Sequence, residues 1–220
     1  MKASNSSKRP VSPGPDMPEP CIFCDNNSGS REHPWPKWIH ERIDFGPLKM
    51  ERYQSKQVII PNPEITVKSV CGICNNGWMS DLESTNIPVI CSMLNDLSVT
   101  LDRDQQREVA AWCVKTATML DSTRPKGAGD RFYLKDDCVR MRESLTIPPK
   151  TRVWIGRIES KHLLALGTDD RYLRPDTQEP HSLSTITTLV AGHFVASGHY
   201  ATPVPEVCRR GNSRDATERQ

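Results

Sequence analysis

Hydrophobic residues recur every three or four positions between residues 102 and 121, which predicts a helix over 102–121 with one apolar face. The positions on this face are Val109, Cys113, Val114, Ala117 and Leu120. Asp102, with Gln105 three residues later, predicts a capping box at the start of this helix. A shorter pattern predicts a second helix over residues 75–85, ended by Pro88, because proline interrupts the backbone hydrogen bonds of a helix.

Beyond residue 130 the pattern changes to short apolar runs, which are typical of strands. Residues 151–158 and 161–167 are predicted to form a hairpin that turns near Glu159. Residues 183–197 predict a third strand, with room for a fourth. The whole pattern therefore predicts an α+β fold, in which an N-terminal module is followed by a long helix and a small antiparallel sheet.

The two ends of the 220-residue chain lack periodic hydrophobic positions. We predict a disordered arm over residues 1–19, which are rich in proline, serine and asparagine, and a mobile tail over residues 205–220. Between them we expect a first module over residues 20–87 and an α+β region over residues 88–204.

Composition and charge narrow the expected partners. No stretch approaches the roughly 18 apolar residues of a membrane span. The polar start also lacks the hydrophobic segment of a secretory signal. We therefore expect a cytoplasmic protein with no membrane contact. The formal net charge of +2 gives no global basic field, so any contact with nucleic acid would be local.

Two Cys-x-x-Cys pairs are the first sign of chemistry in the chain. They are formed by Cys21, Cys24, Cys71 and Cys74. Each pair supplies two thiolates to one side of a tetrahedral zinc ion, and the four together predict a structural Zn²⁺. A redox role would need a thioredoxin-like βαβ context, which the pattern does not show. A further alternative is that the four cysteines of the two pairs share no site. Of the other cysteines, we expect Cys91, Cys113 and Cys138 to be small buried hydrophobic residues.

A second candidate site lies around Glu32, His33 and Asn75. A carboxylate beside an imidazole, with an amide oxygen near a helix start, provides the oxygen ligands that Mg²⁺ or Mn²⁺ prefers. Neighbouring residues of an extended strand point to opposite sides, so Glu32 and His33 can take different roles. One metal ligand and one base near neutral pKa are what the hydrolysis of a phosphodiester needs.

These residues together resemble the HNH endonucleases, whose ββα-metal core is of the treble-clef type. The resemblance covers about residues 19–85 and includes HNH-like proteins of bacteria and phages. It implies that Glu32 and Asn75 bind the catalytic Mg²⁺ or Mn²⁺ and that His33 is the general base. It also implies that the four cysteines hold a separate structural Zn²⁺, that DNA is the partner, and that the protein acts in the cytoplasm of a bacterium or of an infected bacterial host.

Two functions remain open from the sequence. The first is a metal-dependent endonuclease that hydrolyses DNA phosphodiester bonds, which the Glu32-His33 pair favours. The second is a catalytically inactive zinc-stabilised module that binds nucleic acid or protein. It is favoured by the low net charge and by Ile65 and Thr66, which stand where the family has a middle asparagine. His33 would then be structural, and Asn75 would be the N-cap of the helix that follows it.

Overall fold

The computed structural model describes residues 19–43, 48–50, 58–60, 65–123, 131–160, 163–173 and 180–203. Side chains are described for these residues except 48–50, 58–60, 169–173, 180–181, 183 and 203. The predicted arm and tail lie outside the described residues, apart from Glu19. The fold is α+β, with helices packed on one face of a four-stranded antiparallel sheet.

The first part of the chain is built from short strands and one long helical segment. Strand β1 (Ser30–Glu32) pairs antiparallel with β4 (Val67–Val70). Between them lie helix α1 (Lys37–His40) and a second antiparallel pair, β2 (Leu48–Met50) with β3 (Val58–Ile60). Strand β4 leads at once into α2 (Gly72–Cys74), a π-helical turn (Asn75–Met79) and α3 (Ser80–Leu94).

The predicted helix over residues 75–85, ended by Pro88, is wrong at both ends. The helical segment begins at Gly72 and continues through Pro88 to Leu94. A proline removes one backbone hydrogen bond, and that loss is offset here because Ile90 and Leu94, beyond it, are buried in the core. The predicted division between residues 87 and 88 therefore falls inside α3.

Helix α4 (Arg103–Asp121) confirms the strongest helix prediction, including its cap. The Asp102 carboxylate accepts the backbone N–H of Gln105 at 2.8 Å, and the Gln105 side chain accepts the N–H of Asp102 at 3.1 Å. Helix α5 (Lys135–Ser144) was not predicted, since only Cys138 and Met141 give it an apolar side. Within the described residues, no helix is long and apolar enough to cross a membrane.

The C-terminal sheet has the strand order β5-β8-β7-β6 and is antiparallel throughout. Its strands are β5 (Arg152–Arg157), β6 (Leu163–Leu173), β7 (Pro180–Ala191) and β8 (Phe194–Pro203). The predicted third strand is thus two strands, joined at Gly192 and His193. Gly192 has φ +55°, and a Cβ there would lie 3.2 Å from the Leu94 carbonyl oxygen, so this turn needs glycine.

The predicted hairpin between residues 151–158 and 161–167 is wrong, although strands lie in both places. Strand β5 pairs with β8 instead, with Trp154 opposite Ser197. Burial explains this pairing, because Val153 of β5 then packs against the core on both sides of α4. Strand pairing of this kind depends on distant residues, which the local pattern does not contain.

Helix α4 joins two hydrophobic clusters. One cluster surrounds the four cysteines and includes Val114, Ala117 and Tyr200. The other includes Trp38, Leu82, Trp112 and Phe194 and lies between α3, α4 and the inner face of the sheet. Each cluster contains residues from both the predicted module 20–87 and the predicted region 88–204. Helix α4 is therefore packed against the strands and helices of residues 21–94.

Candidate functional site

The four cysteines lie together in the interior, where their Sγ atoms are all within 4.8 Å of one another. The Cys24 Sγ is 3.5 Å from the Sγ of Cys71 and 3.5 Å from that of Cys74. Tetrahedral zinc with Zn–S bonds near 2.3 Å requires sulfur separations of about 3.8 Å. The cluster is therefore consistent with a zinc-binding module and suggests a structural Zn²⁺, as the spacing predicts.

Local backbone structure places both cysteine pairs. The N–H of Phe23 donates to the Cys21 Sγ at 3.4 Å, and the N–H of Cys74 donates to the Cys71 Sγ at 3.4 Å. Cys71 has an extended backbone and its sulfur caps the helix that begins at Gly72. The interpretation of Asn75 as the N-cap is therefore wrong, because Asn75 lies inside the helical segment with φ −63° and ψ −52°.

The pKa values of three of the four thiols show why ionisation of the cluster depends on a bound cation. Burial raises the pKa of Cys21 and of Cys74. Burial also tends to raise the pKa of Cys71, but the Cys74 N–H and the neighbouring thiols donate to its sulfur and lower it to about 7. Four thiols in one buried cluster cannot all ionise without a cation to offset their charge, so metal binding and proton release go together here.

A lysine from α5 supports the first cysteine pair. The Lys135 ammonium donates to the carbonyl oxygens of both Cys21 and Cys24. It also lies 3.7 Å from the exposed Asp25 carboxylate. Lys135 thus fixes the turn between Cys21 and Cys24 from a helix more than a hundred residues later in the chain.

A cavity of about 340 Å³ opens beside the end of β1, and we call it the Glu-His pocket. Its lining residues are Glu32, His33, Pro36, Lys37, Trp38, Glu41 and Glu83. Glu32 is the last residue of β1, and the β1–β4 ladder shifts register between Ser30 and Glu32. Such irregularities redirect side chains, and they are common beside functional sites.

Glu32 and Glu83, at the floor of the Glu-His pocket, form an ion cluster with Lys115, which does not line the pocket. The Lys115 ammonium donates to the Glu83 carboxylate and lies 3.6 Å from the Glu32 Oε1. The Lys115 side chain is 0% exposed, whereas the Glu32 and Glu83 side chains are 11% and 20% exposed. Burial raises the pKa of Glu32, and the nearby Lys115 charge opposes this shift without cancelling it.

Asn75 contacts β1 but is not among the residues that line the Glu-His pocket. Its amide nitrogen donates to the Ser30 Oγ at 2.8 Å and to the Arg31 carbonyl oxygen at 3.0 Å. The structure therefore brings Asn75 and Glu32 to the same short strand, but the Glu32 carboxylate is directed to Lys115. Among the described residues, no group of three or more cysteine, histidine or carboxylate side chains besides the four cysteines lies close enough to hold a metal ion.

The tryptophans near the site belong to the core. Trp38 is 9% exposed, and its ring lies 6.1 Å from that of Trp112. Trp78 meets Phe23 edge to face at 4.8 Å. Trp38 belongs to the second hydrophobic cluster, and Trp78 packs against both clusters. Cys113 and Cys138 are buried as expected, and Cys91 is half-buried.

Sequence reasoning missed Glu83, Lys115 and Lys135. Lys115 left a visible signal, because it is a lone charge within an apolar run from Ala110 to Ala117. Such a lysine must be paired if the surrounding helix is buried. Glu83 and Lys135 left no such signal, since both lie in polar stretches where charged residues are common.

Comparisons with family models, with curated proteins and with solved structures gave no match to the chain. The resemblance to the HNH endonucleases therefore rests on the motif residues of the sequence alone. What is established is a buried four-cysteine cluster of the kind that binds zinc, set in an α+β fold.

Proposed function

We propose that the protein is a metal-dependent endonuclease of the HNH type, which hydrolyses DNA phosphodiester bonds in the Glu-His pocket. In this proposal residues 21–94 form a treble-clef zinc module. One observation carries it: the β1–β4 pair runs directly into the helix that holds the second cysteine pair, while β1 ends at Glu32 and His33. The proposed zinc site and the open pocket are thereby fixed to the same strand pair.

Of the three residues with proposed roles, Glu32 and His33 line the pocket, and Asn75 contacts the strand that leads to it. His33 lines the cavity beside Lys37, where an imidazole can accept a proton from water and an ammonium can meet a phosphate oxygen. Glu32 and the carbonyl oxygen of Asn75 are oxygen donors of the kind that Mg²⁺ or Mn²⁺ requires. When bound, that ion supplies positive charge at the scissile phosphate.

A second candidate function is a catalytically inactive zinc module that binds nucleic acid or protein. The ion cluster on the pocket floor favours it, because the Glu32 carboxylate already has a cation in Lys115. The amide nitrogen of Asn75 also serves the fold, through Ser30 and Arg31. In this case His33 would be a structural residue, and residues 101–200 would carry the contact with a partner.

The two functions can be separated with zinc-loaded full-length protein and supercoiled plasmid in added Mg²⁺ or Mn²⁺. The His33→Ala variant is purified in parallel, with His40→Ala as the matched control from the neighbouring helix α1. We expect the wild type and His40→Ala to nick or linearise the plasmid. Removal of a general base lowers rates about 10²–10⁴-fold, so His33→Ala is expected to be nearly inactive although folded.

Two results would reject the nuclease. If the wild type cleaves no plasmid, linear duplex, single strand or RNA with either metal, the inactive zinc module becomes the better account. If wild type and His33→Ala cleave equally, the cleavage arises from a contaminant or from another site, and His33 is not the base.

A further inference from the structure

Among the lysines whose side chains are described, Lys115 is the only one that is fully buried. It lies in the middle of α4, between Val114 and Thr116, which are also buried. Burying an ammonium is costly unless the charge is paired and hydrogen-bonded. The structure meets this requirement with the carboxylates of Glu83 and Glu32.

Stability alone is a poor explanation for such a cluster. A buried ion pair contributes little net stability, since the attraction between the charges is offset by the loss of their hydration, and hydrophobic residues of similar volume often serve as well. The position of the two carboxylates suggests another purpose, because both line the Glu-His pocket while the ammonium lies behind them.

The arrangement solves an electrostatic problem in the pocket. Glu32 comes from β1 and Glu83 from α3, and both approach one point, where two carboxylates alone would repel each other. The Lys115 charge holds them there and offsets one of the two formal negative charges. One formal negative charge of the cluster remains, carried by carboxylates that line the pocket.

We propose that Lys115 is a positioning residue that fixes the Glu32 and Glu83 carboxylates at the wall of the Glu-His pocket. The site is thus completed by α4, which lies outside the stretch of about residues 19–85 that resembles the HNH endonucleases. This inference rests on the proposed endonuclease function for its effect on catalysis. The geometric part, that Lys115 orders the end of β1 and the start of α3, stands without it.

The test compares full-length wild type with Lys115→Met and with Val109→Ala, a control six positions earlier in the same helix whose side chain is uncharged and buried in the hydrophobic core. Plasmid cleavage is measured over a range of DNA concentrations, at a temperature where all three proteins are folded. We expect Lys115→Met to lose about 10²-fold in kcat, because a misplaced site group costs about that much. We expect KM for DNA to stay unchanged, since the buried lysine cannot touch DNA.

Hydrogen exchange on the same three proteins provides a readout that needs no activity. Lys115→Met should exchange faster than wild type in residues 30–33 and 80–85, and Val109→Ala should not. If the wild type proves inactive, the endonuclease proposal fails, and the exchange result alone decides whether Lys115 orders these segments.

The inference is overturned by any of three results. In the first, Lys115→Met cleaves as well as wild type. In the second, its loss lies in KM or is matched by Val109→Ala, which would show a general effect of weakened packing. In the third, exchange in residues 30–33 and 80–85 is the same in wild type and Lys115→Met. This third result is the deciding one when the wild type has no activity.

Discussion

Two of the buried polar clusters in the described part of the chain differ in how the chain assembles them. The four cysteines come from two short motifs, each of which brings its own pair together through local turns. The cluster of Glu32, Glu83 and Lys115 comes from three separate elements, and no sequence motif links the three residues. The first cluster can be recognised in a sequence, whereas the second exists only once the whole fold has formed.

The two clusters also differ in what they contribute. Binding of structural zinc supplies folding free energy directly, about 10–16 kcal/mol in small zinc modules. A buried ion cluster contributes little net stability, and breaking it is costly mainly because a charge is left unpaired. We therefore expect the cysteine cluster to stabilise the fold and the ion cluster to arrange the side chains of the pocket. The predictions below test this division, beginning with the largest expected effect.

The strongest test of the division is Cys24→Ser. Cys24 has its sulfur 3.5 Å from two other cysteine sulfurs, so its loss should abolish stoichiometric zinc binding and unfold much of the chain. Metal analysis and far-ultraviolet circular dichroism measure the two effects. Cys113→Ala removes a buried cysteine outside the cluster and should retain one zinc per chain. A folded Cys24→Ser protein with full zinc content would refute the four-cysteine site.

Within the ion cluster, Glu83→Gln should cost more stability than Glu32→Gln. Glu83 accepts a hydrogen bond from the buried ammonium, and a charged hydrogen bond of this kind contributes about 1.5–3 kcal/mol. Glu32 lies 3.6 Å from the same ammonium, and burial already raises its pKa, so its loss should cost less. Urea unfolding gives both free energies.

Asp81→Asn is the matched control for this pair, since Asp81 is an exposed acid in the same first turn of α3. It should change the free energy of unfolding little. An equal loss in Glu83→Gln and Asp81→Asn would mean that the helix terminus, and not Lys115, sets the effect.

Asn75→Asp distinguishes a metal ligand from a structural donor. The Asn75 amide nitrogen donates two hydrogen bonds to β1, and an aspartate cannot donate them. If its structural role dominates, Asn75→Asp and Asn75→Ala should each lose about 1–2 kcal/mol of stability. Asn76→Asp, at the exposed neighbour, should have little effect. If Asn75→Asp instead keeps stability and tightens Mn²⁺ binding, the metal role is the dominant one.

The smallest effect is expected from Lys135→Met, at the outer edge of the cysteine cluster. Lys135 holds the Cys21 and Cys24 carbonyl oxygens but touches no sulfur. Groups that support metal ligands in this way typically affect metal affinity about 10–100-fold, and we expect the lower end because Lys135 is partly exposed. Zinc transfer to a chromogenic chelator measures the effect. Lys68→Met, at an exposed position of β4, should release zinc as wild type does.

The sequence was sufficient wherever structure depends on near neighbours. The cysteine pairs, the capping box of Asp102 and the extent of α4 follow from residues a few positions apart. The continuation of α3 through Pro88 and the pairing of β5 with β8 were missed, because both depend on burial against distant elements. Within the pocket, Glu32 and His33 carry a motif, but the partner of Glu32 lies 83 positions later in the chain, at Lys115.

Chemical rescue of His33→Gly by imidazole tests the central claim most directly. The variant leaves space at the wall of the Glu-His pocket, and free imidazole can then take up the proton that His33 would accept. The account predicts that plasmid cleavage by His33→Gly rises with imidazole concentration, by about tenfold or more, while cleavage by Glu32→Gln does not. Cleavage by His33→Gly that equals wild type without imidazole, or that imidazole leaves unchanged, would contradict the assignment of His33 as the base.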